Sequence, residues 1–175
     1  MLASRVRMAT GLNFVVKPSD DVYLAQDSDF VNVDGYWVYR GTELEVEMPT
    51  HINGELITST YGMFSGYYQA TPVTKVVLKH SNVIYMGAMF DSSQATTLDL
   101  SSFNTSNVTD MRYMFADSSA TTLDLSSFNV SNVSDIDYMF GWCSATIGYA
   151  RTQADADKFN ASSGKPAGLN FVVKP

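Results

Sequence analysis

The chain is poor in cysteine, in basic residues and in long apolar runs, and each shortage excludes a class of protein. Cys143 is the single cysteine among 175 residues, so no internal disulfide can form and the fold must depend on packing and backbone pairing. Eleven basic against 18 acidic residues give a formal charge of −7, which argues against binding to nucleic acid. No apolar run approaches the roughly 20 residues of a membrane-spanning helix, so membrane insertion is not expected.

A recognisable targeting segment is also lacking. The opening stretch MLASRVRMATG contains two arginines and no apolar core, so it does not predict a signal peptide. We therefore expect either assembly in the cytoplasm or a chain that is one piece of a longer protein. With 45% hydrophobic residues, the sequence predicts one domain with a substantial core.

A repeat of 25 residues dominates the rest of the sequence. The stretch LDLSSFNTSNVTDMRYMF at 98–115 returns as LDLSSFNVSNVSDIDYMF at 123–140. Met-Phe pairs recur at nearly the same interval, at 63–64, 89–90, 114–115 and 139–140. A fixed period of this length is typical of a stacked solenoid, so the sequence predicts a short α/β repeat solenoid.

Each unit predicts a short strand, a turn and one helical turn. The strands are predicted at Val76–Leu78, Leu98–Leu100 and Leu123–Leu125. Asp99 and Asp124 point to the opposite face of these strands, where a solvated ladder of like charges is expected. Apolar residues from Val108 to Phe115 recur three or four positions apart, which predicts one buried helical face. Stacked units of this kind predict a parallel sheet along one side.

The composition divides the chain into four segments. These are an N-terminal extension or linker strand at 1–18, a β-rich N-terminal cap at 19–72, repeat units at 73–146, and a C-terminal cap helix with a linker strand at 147–175. In the N-terminal cap, Asp34-Gly35 predicts a hairpin, and Leu44 alternates with glutamates in a strand that has one buried face. The repeat pattern is lost at Ile147, after which Thr152 predicts the start of a helix.

The eight residues GLNFVVKP occur twice, at 11–18 and at 168–175. An identical strand entering and leaving the domain suggests a module joined in series, within a longer chain or between subunits by strand addition. The residues that would form these assembly strands are Leu12, Phe14, Val16, Leu169, Phe171 and Val173. Whether they act within one chain or between chains is left open.

The sequence predicts no catalytic residue, no cofactor and no metal site. Serines are plentiful, but they recur in the turn of each unit and lack the histidine and acid of a nucleophilic site. His51 and His80 are far apart and lack the spacing of zinc ligands. Five Asn-x-Ser/Thr sequons occur, four of them at repeat-equivalent positions, which favours turn and capping roles over glycosylation. We therefore predict that the protein is not an enzyme.

One column of side chains is predicted to face outward. Tyr113 lies opposite the buried face of its unit, and Tyr138 is its equivalent in the next unit. Exposed tyrosines provide contact area at low entropic cost, so Tyr113 and Tyr138, with the adjacent Arg112 and Asp137, form the predicted recognition surface. Packing of the two tyrosines on neighbouring turns is an equally weighted alternative.

These units resemble the BspA-like leucine-rich repeats of bacterial surface proteins, which read roughly L-D-L-S-x-F-x-T-S-N-V-T-x-M-x-x-M-F. The resemblance covers about residues 36–145 and implies a leucine-rich-repeat-type solenoid that acts in adhesion or recognition, without catalytic residues. The tail at 149–175 resembles linkers of phage-encoded structural proteins. That second resemblance implies a virion component (tail, fibre or decoration), assembled in the host cytoplasm, that binds a host-surface protein or glycan or other virion subunits. The alternative is a fragment of a bacterial cell-surface adhesin.

Overall fold

In a computed structural model, residues 22–69 and 72–175 form a parallel β-solenoid of about six turns. The predicted repeat solenoid is therefore confirmed. The first copy of GLNFVVKP, with Leu12, Phe14 and Val16, lies outside the described residues.

The strands are short and are separated by hydrogen-bonded turns. In chain order they are β1 (Tyr23–Leu24), β2 (Phe30–Val33), β3 (Tyr36–Tyr39), β4 (Glu45–Glu47), β5 (His51–Ile52), β6 (Glu55–Leu56), β7 (Lys75–Val77), β8 (Thr122–Leu125), β9 (Ile147–Ala150) and β10 (Asn170–Val173). Within the described ranges the helices are a 3₁₀ turn at Asp27–Asp29 and α1 at Gln153–Asn160.

Two three-stranded parallel sheets follow one side of the solenoid. Their strand orders are β1-β4-β7 and β10-β9-β8, so the segment predicted as an N-terminal cap already contributes strands to the stack. The strand predicted at Leu98–Leu100 is reduced to one bridge between Asp99 and Lys75. The Asp99 amide donates to Thr74, and the Asp99 carbonyl accepts from Val76, which is too few hydrogen bonds for a ladder.

The segments predicted as helical turns are chains of tight turns, so the prediction of a helical turn in each repeat is wrong. The amide of Met114 donates to Met111, three residues earlier, at 3.3 Å. The amides of Tyr113 and Phe115 donate instead to Asp137 and Met139 in the next coil, at 3.1 and 2.8 Å. An α-helix needs every interior amide for its own i−4 carbonyl, and here alternate amides join neighbouring coils.

The buried face inferred from the same spacing is present, and a column of phenylalanines runs through it. Its members are the fully buried Phe64, Phe90, Phe115 and Phe140. Successive ring centroids lie 5.8, 5.7 and 6.1 Å apart, with planes within 13° of parallel. Tyr39 covers the first ring at 5.5 Å, and Phe159 and Phe171 cover the last ring at 5.8 and 4.7 Å. The core is therefore continuous from end to end.

Asparagine side chains connect the coils at positions where the sequence shows sequons. Asn107 donates from Nδ2 to the Ser81 carbonyl at 2.9 Å, and Asn132 donates to the Ser106 carbonyl at 2.8 Å. Both amides reach back to the preceding coil and satisfy a backbone acceptor there. These contacts agree with the structural role that was favoured for the repeated asparagines.

The hairpin predicted in the N-terminal segment is confirmed. Strands β2 and β3 pair antiparallel around Asp34 and Gly35, whose φ angles are 51° and 90°, as a type I′ turn requires. The prediction that Leu44 belongs to the buried face is wrong, because Leu44 is 44% exposed. Leu44 lies just before β4, and its carbonyl accepts the Thr74 amide at 2.7 Å.

The backbone path continues past the point where the repeat pattern is lost. Strand β9 pairs in register with β8, with Gly148 opposite Leu123, and β10 pairs with the other edge of β9. A Cβ atom at Gly148 would lie 2.4 Å from the Phe171 ring, so the glycine makes room for a side chain that arrives from β10. Helix α1 begins as predicted, with the Thr152 hydroxyl accepting the Asp155 amide at 3.2 Å.

Candidate functional site

The two tyrosines of the predicted recognition surface lie outward and are also stacked on one another. Tyr113 and Tyr138 are 40% and 37% exposed, and their ring centroids are 5.4 Å apart with planes 4° from parallel. The structure thus combines the two alternatives, because each ring packs on its neighbour in the next coil and keeps an edge in water.

Trp142 extends this stack and was missed by sequence reasoning. Its ring lies 5.7 Å from that of Tyr138, at 12° to it, and 66% of the residue is exposed. We call Tyr113, Tyr138 and Trp142 the aromatic row. The sequence signal for Trp142 was a departure from the repeat. Two residues after Met-Phe, the earlier coils have Ser92 and Asp117, where this coil has tryptophan.

All three residues of the aromatic row have a left-handed backbone. Their φ angles are 55°, 52° and 54°, a conformation that costs an L residue roughly 1–2 kcal/mol. At the position of the two tyrosines, earlier coils carry Gly62 and Ala88, with φ of 62° and 51°. The backbone of the repeat is therefore built with a small residue at this position, and the large rings have no role in forming the turn.

Arg112 joins two coils beside the row. Its Nη2 lies 2.6 Å from Asp110 Oδ2, and its Nε lies 3.5 Å from Asp135 Oδ2. The hydrogen bonds that the Arg112 guanidinium donates to Asp110, and the negative charges of Asp110 and Asp135, raise the pKa of Arg112. This cation is accordingly engaged by its own chain.

Asp137 is exposed and has a neutral partner. Its Oδ1 accepts the Ser163 hydroxyl at 2.8 Å, and its amide donates to Asp135 Oδ1 at 3.0 Å. Of the four predicted residues, Tyr113 and Tyr138 are in direct contact, while Arg112 and Asp137 are their chain neighbours.

A second exposed aromatic pair lies toward the N-terminal end. The rings of Tyr36 and Tyr61 are 4.8 Å apart. A Cβ atom at Gly87 would approach the Tyr61 ring to 3.1 Å, so this glycine allows the ring to lie against the next coil. Tyr85, which is 51% exposed, is paired through its backbone with Asp110.

On the sheet side, the carboxylates are neutralised by lysines, contrary to the expectation of a solvated ladder. The pairs are Lys75–Asp99 at 3.5 Å, Lys79–Glu47 at 3.1 Å and Lys174–Asp124 at 2.6 Å. Hydrogen bonds from Ser101, with the nearby Lys75, lower the pKa of Asp99. Partial burial acts to raise the pKa of Asp124, but hydrogen bonds from Lys174 and Ser126 outweigh it and the pKa is lowered.

Strand β10, one of the two predicted assembly strands, is contacted by a side chain of helix α1 at Phe171. Leu169 and Phe171 are buried in the core, while Val173 is 40% exposed. The Phe171 amide donates to Asn160 Oδ1 at 3.0 Å, and the Phe171 carbonyl accepts from Asn160 Nδ2 at 2.9 Å. Both backbone groups of Phe171 are thus occupied within the chain, and strand addition through β10 stays a prediction.

Residues 22–69 and 72–175 contain no cluster of three His, Cys, Asp or Glu side chains that could hold a metal ion. A concavity of about 420 Å³ near the N-terminal end is lined by Leu24, Ala25, Gln26, Asp27, Ser28 and Pro49. Among these described lining residues, Asp27 has the one titratable side chain. Burial raises the pKa of the Cys143 thiol, which disfavours the nucleophilic thiolate. In the described part of the chain, no helix has the length and hydropathy of a membrane span.

A protein family described as "Mycoplasma protein of unknown function, DUF285" matches residues 50–163. This match is more than half of the chain and includes all four Met-Phe pairs, the aromatic row and helix α1. Searches of curated proteins and of solved structures gave no significant match.

Proposed function

We propose that this chain, which belongs to the DUF285 family, is a non-enzymatic recognition module that binds a macromolecule through the aromatic row. The observation that carries the proposal is the stack of Tyr113, Tyr138 and Trp142, which stands in water on a rigid solenoid. The solenoid provides the scaffold and the row provides the contact area.

The rings of the row are ordered before any partner arrives. Each of the three rings has a nearly parallel neighbour at 5.4 or 5.7 Å, so little side-chain entropy remains to be lost on binding. Tyrosine and tryptophan are enriched where protein surfaces make contact, and they dominate binding energies. Exposed aromatic residues in left-handed conformations add strain to the free protein and contribute little to its stability. This supports a role in binding.

A position at the bacterial cell surface is the location we propose. The family match and the likeness of the units to repeats of bacterial surface proteins support it. The prediction of a phage virion component rests on the tail at 149–175 and receives no support from the family match. Both locations call for the same non-enzymatic recognition of a host-surface protein or glycan.

A cell-binding experiment tests this proposal. The variant Tyr113→Ala/Tyr138→Ala removes the two stacked rings, and Tyr149→Ala removes a half-exposed tyrosine from β9 on the sheet side. Fluorescently labelled proteins are incubated with cultured animal epithelial cells and, separately, with bacterial cells, and bound protein is measured by flow cytometry. We expect the double variant to lose at least about tenfold in affinity, while Tyr149→Ala binds as the wild type does.

Thermal melting separates recognition from stability. The double variant loses two ring stacks, Tyr113–Tyr138 and Tyr138–Trp142, at about 0.5–1.5 kcal/mol each, and we expect both variants to remain folded at 25 °C. If the double variant unfolds, Tyr113→Gly/Tyr138→Gly removes the same rings and also relieves the left-handed strain. Cell binding that persists in a folded double variant contradicts the proposal.

A further inference from the structure

The two faces of the solenoid differ in how their carboxylates are paired. On the sheet side, Asp99 and Asp124 each have a lysine partner. Near the aromatic row, Asp117 and Asp137 are exposed, and neither forms an ion pair with lysine or arginine within the described part of the chain. These two carboxylates beside the aromatic rings thus differ from those of the sheet side in having no ion pair among the described residues.

Both carboxylates belong to residues that neighbour the row. The Asp117 amide donates to the Gly141 carbonyl at 2.8 Å, which places Asp117 in the coil directly beside Trp142. Asp137 immediately precedes Tyr138 and is held by the Ser163 hydroxyl. Arg112, the cation nearest to the row in sequence, is bound between Asp110 and Asp135.

From this arrangement we infer that the aromatic row binds a basic polypeptide segment, in which arginine or lysine side chains stack on Trp142 and pair with Asp117 and Asp137. The inference rests on the proposed recognition function and names the class of partner. Tryptophan is the ring that attracts a cation most strongly. A guanidinium can stack on the ring and donate to a carboxylate at the same time.

Charge complementarity favours this partner over an acidic glycan. Two unpaired carboxylates and a chain charge of −7 repel sulfated or sialylated sugars and steer a cationic chain toward the row. A neutral sugar would use the rings and would leave the excess of negative charge without a role.

Peptide titration tests this inference. Three synthetic probes are used: an alternating Arg-Ser peptide, the matched Glu-Ser peptide and a neutral chitin oligosaccharide. Binding is followed by calorimetry and by tryptophan fluorescence, at low and at high salt. We expect the Arg-Ser peptide alone to bind, with an affinity that falls as salt is raised.

Single variants locate the binding. Trp142→Ala and Asp137→Asn should each weaken binding of the Arg-Ser peptide by roughly tenfold. Tyr149→Ala and Glu55→Gln, which change an aromatic and a charge away from the row, should leave it unchanged. Thermal melts confirm that each variant is folded, and Asp137→Asn keeps the shape of the side chain should Trp142→Ala fail to fold.

The outcomes separate this inference from the proposed function. Equal affinity in wild type, Trp142→Ala and Asp137→Asn overturns the inference, as does an equal loss in Glu55→Gln, which would indicate attraction to overall charge. Binding of the chitin oligosaccharide in place of the Arg-Ser peptide also overturns it, while cell binding through the aromatic row would still stand. Cell binding that does not depend on Tyr113 and Tyr138 contradicts the proposed function itself.

Discussion

At the scale of single residues, positive φ angles recur at two positions of the coils and limit which residues fit there without strain. The position before Met-Phe holds Gly62, Ala88, Tyr113 and Tyr138, all with φ between 51° and 62°. Such angles are easy for glycine and strained for other residues. The sequence shows the spacing of these positions, but it does not show the conformation, because alanine and tyrosine carry no signal for it.

Replacing Ala88 by glycine should stabilise the protein, which is the reverse of the usual effect. Ala88 has φ of 51°, so glycine removes a strain of roughly 1–2 kcal/mol and adds back part of that as unfolded-state entropy. We expect the free energy of unfolding to rise by about 0.5–1 kcal/mol, measured by urea denaturation.

The matched control for this prediction is Ala120→Gly. Ala120 is buried, as Ala88 is, and is not among the residues with positive φ, so glycine there should lower stability by about 1 kcal/mol. A loss of stability in both variants would show that the left-handed backbone is not a source of strain.

At the scale of elements, the segments between strands show that hydrophobic periodicity predicts which side chains are buried but not the backbone conformation. Val108, Met111 and Phe115 are buried as the helical spacing predicts, yet the same spacing also arises where successive tight turns point side chains into a flattened core. The deciding fact is that alternate amides donate to the next coil. Such a contact, 24 or 25 residues away, cannot be read from local spacing. Helix α1 was predictable, because its cap, Thr152 with Asp155, is local.

The close packing of β9 against β10 predicts that one added methyl group destabilises the protein and that a second substitution partly reverses the loss. Gly148→Ala would place a Cβ atom 2.4 Å from the Phe171 ring, and overpacking of this kind costs about 1–3 kcal/mol. We expect a corresponding loss in the urea midpoint and a lower melting temperature. The second substitution Phe171→Leu should cost less in the Gly148→Ala background than in the wild type, because the smaller side chain relieves the clash.

A double-mutant cycle measures this coupling. Additive losses from Gly148→Ala and Phe171→Leu would contradict the close approach of the glycine to the ring. Gly168→Ala is a suitable control, since a Cβ atom at Gly168 meets no atom within 4 Å.

At the scale of the whole molecule, the solenoid was predictable because its signal is long and regular. The Met-Phe pairs at 63–64 and 139–140 belong to one buried column, as their spacing indicates. The aromatic row was predicted in part, since Tyr113 and Tyr138 repeat in register. Trp142 was not, because it breaks the repeat and joins the row through the fold. The pairing of Asp124 with Lys174 joins residues 50 positions apart and has no sequence signal.

Acidic pH should destabilise the solenoid, because it protonates the paired carboxylates of the sheet side. The pKa values of Asp99 and Asp124 are lowered in the folded protein, so their contribution is present above the unfolded value of about 3.9 and is lost as pH falls through the lower folded values. Both side chains are more than one third exposed, so we expect a loss of no more than about 1 kcal/mol for each pair. Asp91, whose pKa burial raises, acts in the opposite direction and offsets part of it.

Urea denaturation at pH 7, 4.5 and 2.5 measures this dependence. The variant Lys174→Gln removes the partner of Asp124, so its stability should fall less between pH 4.5 and 2.5 than that of the wild type. A fall as large as in the wild type would show that this ion pair does not couple stability to pH.

The two hydrogen bonds between the Asn160 side chain and the Phe171 backbone affect whether a further strand can pair with the end of the solenoid. In a solenoid of parallel coils, as in a cross-β fibril, the backbone donors and acceptors at an open edge can pair with those of a further strand. Asn160 supplies in one side chain the acceptor and the donor that an incoming layer would bring. A further strand would therefore have to displace the Asn160 side chain before it could pair with β10 at Phe171.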